Sequence, residues 1–236
     1  MVSVLPQLNG LKGAALDFLF PRFCVGCGKA GDYVCPACQV SLPRIEMPVC
    51  PKCGKPQITE VLCPVCFGWE SDIDAIRSPF RFEGVIRKAV HEFKYRNLRA
   101  ISGQLALFLS DYLRENSICC DVIVPVPLHP KRLRERGYNQ SALLAHELSE
   151  LTGIPVNGSS LIRHVHNVQQ AKTTSVEERR KNVIGIFKVV DVDLREKKVL
   201  LIDDVTTSGA TLNSCASVLK SGGAASVWGL TLAREI

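Results

Sequence analysis

Leu200-Leu201-Ile202-Asp203-Asp204-Val205-Thr206-Thr207-Ser208-Gly209-Ala210-Thr211-Leu212 is the stretch that decides the class of this 236-residue chain. Val199 to Ile202 is apolar without alternation, the pattern of a strand covered on both faces in a parallel α/β sheet, with a turn expected directly after it. Ligands of such sheets collect at the carboxyl ends of the strands. Thr206, Thr207, Ser208 and Thr211 offer hydroxyl donors there, and Gly209 lets the backbone approach closely. Leu212, Ala216 and Leu219 fall at helical spacing, so a helix would aim its free N–H groups at an anion. The loop reads as a phosphate cradle. Asp203 and Asp204 would repel phosphate inside it, yet suit the hydroxyls of a sugar one step away, so a ribose 5-phosphate fits better than a free nucleotide tail.

A hydrophobic run ending in two aspartates also describes a Walker B strand, but the chain has no G-x-x-x-x-G-K-[ST] to hold a triphosphate. An ordinary βα turn without ligand is the blander alternative. The order of apolar strand, acidic pair and Thr-Thr-Ser-Gly-Ala-Thr resembles the phosphoribosyl pyrophosphate (PRPP) signature of the type I phosphoribosyltransferases. That resemblance implies PRPP binding by Asp203, Asp204, Val205, Thr206, Thr207, Ser208, Gly209, Ala210 and Thr211.

With 46% hydrophobic and 22% charged residues the chain can bury a core and is not disordered. No apolar stretch approaches the ~18 residues of a membrane span. The N-terminus lacks a basic leader and carries Asp17 among its apolar residues, a poor signal peptide, so a cytoplasmic compartment is expected. Leu11, Ala14, Ala15, Phe18 and Leu19 lie at helical spacing. They suggest a short amphipathic helix within residues 1–23 that docks on the body or touches a membrane surface.

Eight of the eleven cysteines form four C-x-x-C pairs: Cys24/Cys27, Cys35/Cys38, Cys50/Cys53 and Cys63/Cys66. Each can act as a zinc knuckle, with Gly26, Gly28 and Gly54 supplying permissive backbone, and two knuckles complete a tetrahedral Cys₄ site. Four knuckles imply two structural Zn²⁺ ions across residues 24–70, a segment too poor in large apolar side chains to hold its shape otherwise. Sequential pairing is simplest; a crossed pairing is also open. Cys119, Cys120 and Cys215 read as packing residues. Eight metal-bound thiolates and two zinc ions lower the formal net charge from +6 to about +2, which does not describe a generally basic, nucleic-acid-coating protein.

The cations cluster instead, at Arg77 to Arg99, Lys131 to Arg136 and Arg163 to Lys181, which suggests a polyanionic ligand. A domain boundary is expected near Glu70, with strand and helix alternating through 71–236. Phe80 to Gly84 ends a short strand, and Ile86, Ala89, Val90 and Phe93 form a helical face that brings Lys94, Tyr95 and Arg96 to its end. Val122 to Val126, closed by Pro125 and Pro127, predicts a central strand followed by a rigid loop from Leu128 to Tyr138; Asn139 then caps a helix facing inward with Leu143, Leu144 and Leu148. Lys131, Arg132, Arg134 and Arg136 on that loop either meet the far end of a ligand or face solvent. The polar insert from Arg163 to Asn182 suits a mobile lid or a plain flexible loop.

These pieces together resemble the ComF family, bacterial phosphoribosyltransferase-like proteins associated with natural competence and with growth on DNA as a nutrient. The resemblance runs from Cys24 almost to the C-terminus, through Phe82-Glu83-Gly84, Phe93-Lys94-Tyr95, Val124-Pro125-Val126-Pro127, Arg136-Gly137-Tyr138-Asn139-Gln140 and Arg179-Arg180 with Asn182-Val183. Tyr138 and Ser208 depart from the more usual Phe and Gly. What the resemblance implies is a mostly parallel α/β sheet flanked by helices, the type I phosphoribosyltransferase fold, behind an N-terminal double zinc ribbon. It also implies handling of single-stranded DNA beside a helicase-like partner. In the implied chemistry PRPP binds with Mg²⁺, residues Thr206 to Thr211 hold the 5-phosphate, Asp203 and Asp204 hold the ribose diol, and Lys131, Arg132 and Lys94 stabilise departing pyrophosphate. No residue stands out as a base for an acceptor. A non-catalytic PRPP or DNA-phosphate sensor and a zinc-ribbon adaptor for single-stranded DNA are the alternatives.

Overall fold

The computed structural model describes residues 21–163, 185–190 and 193–236. The helix expected within 1–23 and the insert expected from Arg163 to Asn182 lie outside the described residues, but for residues 21–23 and Arg163. In chain order the elements are α1 (Pro36–Val40), α2 (Pro64–Phe67), β1 (Ala75–Arg77), β2 (Phe80–Arg81), α3 (Gly84–Tyr95), α4 (Ser102–Glu115), β3 (Val122–Pro125), α5 (Pro130–Arg136), α6 (Gln140–Thr152), β4 (Leu161–Arg163), β5 (Phe187–Val189), β6 (Lys198–Thr206), α7 (Ala210–Ser221) and β7 (Ser226–Arg234).

The sheet runs β1-β7-β6-β3 with every neighbour parallel, and β2 adds to β7 at its far end. Beyond β3 a single parallel bridge joins Ile123 to Val156. The hydrophobic run of β6 is shared between two cores, as alternation of side chains on a strand demands. Leu200 and Ile202 enter the core built with Phe93, Leu105, Leu109, Leu144 and Leu148 of α3, α4 and α6. Val199 and Leu201 enter the other, with Leu212, Ala216 and Leu219 of α7. Each such leucine or isoleucine contributes roughly 1.5–3 kcal/mol through burial. β4 and β5 form a separate antiparallel pair.

Two expectations need correction. The strand does not stop at Ile202: β6 continues through Thr206, pairing Asp203 with Thr231, Val205 with Ala233 and Thr206 with Arg234. The long β7 supplies hydrogen-bond partners for that extra backbone, so the two aspartates sit on the ladder and only Thr207 to Gly209 form the turn. The segment after β3 is also no loop throughout, because residues 130–136 form α5. His129 Nδ1 accepts from the Lys131 N–H at 3.1 Å, Pro130 occupies the first turn, and Gly137 closes the helix at φ 77°.

The zinc-ribbon segment is fastened to the sheet at several points. Gln104 of α4 clasps the Val34 backbone, its Oε1 accepting from the Val34 N–H and its Nε2 donating to the Val34 carbonyl, at 2.7 Å each. Between the ribbons, Ile45 N–H donates to Pro79 and Arg81 N–H to Pro43, both at 2.8 Å. The second ribbon joins β1, where Ile76 N–H donates to Lys52 at 2.8 Å.

Candidate phosphate site and metal centres

The two aspartates are offered to different neighbours. Asp204, buried, meets Lys94 Nζ at 2.7 Å from the end of α3. Asp203 accepts from Ser141 Oγ at 2.8 Å, at the start of α6, and from the Asp204 N–H at 2.9 Å. Among the described ion pairs Asp203 has none, so the pair of acids shares one directly bound cation. Burial and the Asp204 charge push the Asp203 carboxyl up to about 7, against the opposing pulls of Ser141 and Lys94.

Both neighbours are set by the Arg136-Gly137-Tyr138-Asn139-Gln140 segment. Tyr138 donates its hydroxyl to the Phe93 carbonyl, fixing the end of α3 next to Lys94. Asn139 caps α6 through Ser141 N–H at 3.1 Å and donates to the Val126 carbonyl at 3.0 Å. Arg136 donates to Gln140 and lies 5.3 Å from the Tyr95 ring centre. These side chains brace the carboxylates' partners.

After β6 the turn runs from Thr207 to Gly209, and Gly209, the N-cap of α7, has no side chain to cap it. Ser208 Oγ accepts from Ala210 N–H at 3.4 Å, and the Thr207 carbonyl accepts from Arg234 Nη2 at 3.3 Å. Gly209 adopts φ 76°, and a Cβ there would stand 2.6 Å from Ile76 Cδ1 and 3.3 Å from the Trp69 ring. Packing against the protein, as well as the left-handed backbone, thus requires this glycine.

Two clefts open beside the site. One of about 1260 Å³ lies between α3 and the first knuckle and reaches Lys94, Val205 and Thr207; Phe23, Tyr33 and Phe82 line its wall. The other, about 630 Å³, gathers Lys94, Arg99, Arg132 and Arg136 around Tyr95 and Tyr138. Lys94 and Arg132 of the expected pyrophosphate group therefore share one cleft. Lys131 lines neither of these two; it is exposed and 3.9 Å from Glu135. Arg163, at the end of β4, stands 5.6 Å from the Phe187 ring centre, and burial followed by the nearby Arg132 charge works against its protonation. Ser141, Trp69 and Arg234 were not expected at the site, whereas Arg99 belongs to the Arg77–Arg99 cation cluster. Asn139, the legible cap, could have pointed to Ser141; Trp69 and Arg234 carry no signal in the sequence.

The eight paired cysteines converge as two sets, Cys24/Cys27/Cys35/Cys38 and Cys50/Cys53/Cys63/Cys66, with all ligand sulfurs of a set within 4.8 Å of one another. Sγ separations of 3.6 Å for Cys27–Cys35 and 3.7 Å for Cys53–Cys63 fit a tetrahedron of Zn–S bonds of about 2.3 Å, whose edge is about 3.8 Å. Pairing is sequential, and the crossed arrangement is excluded. Cys35 N–H donates to Cys24 Sγ and Cys63 N–H to Cys50 Sγ, each at 3.4 Å. Burial raises the Cys24 and Cys50 thiols, but backbone N–H donors outweigh it and bring them to about 6 and about 7, while the bond to Cys24 pushes Cys38 up to about 12 and burial and the Cys53 charge push Cys66 up. Sulfurs this crowded ionise together only around a cation.

Residues 15–67 match the family model of the double zinc ribbon domain. Over 215 residues the chain is 32% identical to competence protein ComFC of Bacillus subtilis, covering 88% of this chain and 86% of that one. Competence protein F of Haemophilus influenzae is 30% identical over 214 residues, covering 86% and 92%. The chain belongs to the ComF family. DNA utilization protein YhgH of Salmonella typhimurium is a further ComF relative, 28% identical over 209 residues and covering 86% and 91%. Among solved structures, purine phosphoribosyltransferase from Pyrococcus horikoshii is similar over 56% of this ComF chain and 71% of its own, with 22% identity and a TM-score of 0.36. This ComF protein joins a double zinc ribbon to a mostly parallel, helix-flanked sheet, and no helix among its described residues is long and apolar enough to cross a membrane.

Proposed function

We propose that this ComF protein binds PRPP at the carboxyl end of β6 and acts on it as a phosphoribosyltransferase in the use of incoming DNA. The observation that carries this reading is the juxtaposition of Asp203 and Asp204 with the Thr207–Gly209 turn at the start of α7. Backbone N–H groups and hydroxyls between Thr206 and Thr211 hold the 5-phosphate. Asp203 and Asp204 hold the ribose diol. Once Asp203 is ionised as well as Asp204, two acids with one directly bound cation leave negative charge that a divalent ion would balance, so the donor set fits Mg²⁺, which when bound would neutralise pyrophosphate oxygens. Arg132 and Lys94 face the pyrophosphate from their shared cleft, Lys94 while holding Asp204, and Lys131 approaches only from the exposed face of α5. Titration calorimetry with PRPP and Mg²⁺ tests the site: wild type binds, and Asp204→Asn, which loses the Lys94 pair, binds at least tenfold more weakly. Absence of wild-type binding refutes the proposal, and pyrophosphate release across a panel of nucleobases and amines separates an enzyme from a sensor.

A second reading is favoured by the 630 Å³ cleft, whose four cations surround the exposed ring of Tyr95, a cation groove with one aromatic face of the kind single-stranded nucleic acid sites use. The names of the relatives, competence and DNA utilization proteins, point the same way. Single-stranded DNA affinity should then fall steeply as salt rises, and a flat response counts against it.

A further inference from the structure

We infer that Arg234 is a positioning residue that ties the second Cys₄ centre to the phosphate loop, so that metal held at this centre sets the shape the loop presents to an anion. The inference rests on reading Thr206 to Thr211 as an anion cradle. Arg234 ends β7 and is 1% exposed, although a guanidinium keeps its charge in proteins. Its Nη2 donates to the Thr207 carbonyl at 3.3 Å, while buried Nε and Nη1 have no hydrogen-bond partner among the described residues. Burial opposes its charge, and the thiols of Cys53, Cys66, Cys63 and Cys50 are what support it. Four thiolates around one Zn²⁺ carry a net charge of about −2, the complement a buried guanidinium needs.

Two further contacts converge on the same turn. Trp69 packs against the cysteine cluster of this centre, and its ring reaches the space a Cβ would fill at Gly209. Ile76, hydrogen-bonded to Lys52 within the Cys50–Cys53 knuckle, fills the rest of that space. The first centre is fastened elsewhere: Gly26 lies against Val85 of α3, and Val34 is clasped by Gln104 of α4. Loss of metal from the second centre should therefore disturb the loop, and loss from the first should not.

The test uses the full zinc-loaded chain with Arg234→Met, Arg234→Lys and Cys24→Ser. Readouts are zinc release to a chelator, the amide resonances of Thr207, Ser208 and Gly209 without ligand, and titration with inorganic phosphate. In Arg234→Met one of the two ions is released about tenfold faster or more, the three amides shift, and phosphate affinity falls about tenfold. Arg234→Lys restores much of the zinc retention. Cys24→Ser loses one ion and leaves the loop amides in place. Should Arg234→Met fail to fold, chelation of the wild type decides: loop amides move together with those of Cys50 and Cys63. Two slowly released ions with unmoved amides in Arg234→Met, or a loop that responds equally to Cys24→Ser, overturns the tie. Wild type that ignores phosphate refutes the cradle alone, since zinc release and amide shifts still judge the tie.

Discussion

Asp203 is a carboxyl that folding keeps protonated up to about pH 7, chiefly through burial and the adjacent Asp204 charge. In the unfolded chain it titrates near ~3.9. The folded state thus binds this proton more tightly, so the contribution is fully present below about pH 4 and is lost as pH rises toward 7. Asp203→Asn should flatten that part of the stability profile and leave the protein about 1–3 kcal/mol more stable than wild type at pH 7.5, the range allowing for its partial exposure. Urea midpoints between pH 4.5 and 7.5 measure this, and parallel profiles for the two proteins would refute it. The same substitution removes a ligand for the diol, so the stabilised variant should bind PRPP more weakly. Opposite changes in stability and affinity are what distinguish a strained functional carboxylate from an ordinary surface acid.

At the scale of elements, α3 and α6 bring Lys94 and Ser141 to β6, and the Tyr138-Asn139 pair holds those helices in place. Asn139→Ala removes a cap and leaves the Val126 carbonyl without its donor, a loss of about 1–2 kcal/mol by chemical denaturation. PRPP affinity should fall with it, because the start of α6 carries the Ser141 bond to Asp203; unchanged affinity would mean that the brace is not needed. Much of this layout was legible in the chain. The apolar run of β6, the periodicity of α3 and the Asn139 cap are local signals with local causes. The extension of β6 to Thr206 was not legible, since it depends on a ladder with β7, distant in sequence. Residues 130–136 hid for another reason. Pro130 and Gly137 bracket a short helix, but Lys131 to Arg136 has no apolar period and none of its residues is buried.

At the scale of the molecule, the zinc segment is both a separate chemistry and part of the sheet's support. Its C-x-x-C spacing was fully legible because each knuckle is local. Its docking was not: Arg234 in sequence is one cation among many, yet it lies buried with its guanidinium on the turn at Thr207. Within the ribbons the buried side chains are mostly the cysteines, joined by Val34, Leu42 and Val49, so metal ligation supplies the cohesion that a core supplies elsewhere. The two large cores flanking the sheet draw nearly all their residues from positions after Ile73. Metal analysis should therefore find two Zn²⁺ per chain, and chelation should open the ribbons while the sheet persists. Limited trypsin digestion then cuts first at Lys29, Arg44 and Lys52, with most strand and helix signal retained in circular dichroism. Loss of sheet and ribbon in one cooperative step would mean that the clasp at Gln104 and the pairing of Ile45 with Pro79 carry more of the fold's stability than its own cores do.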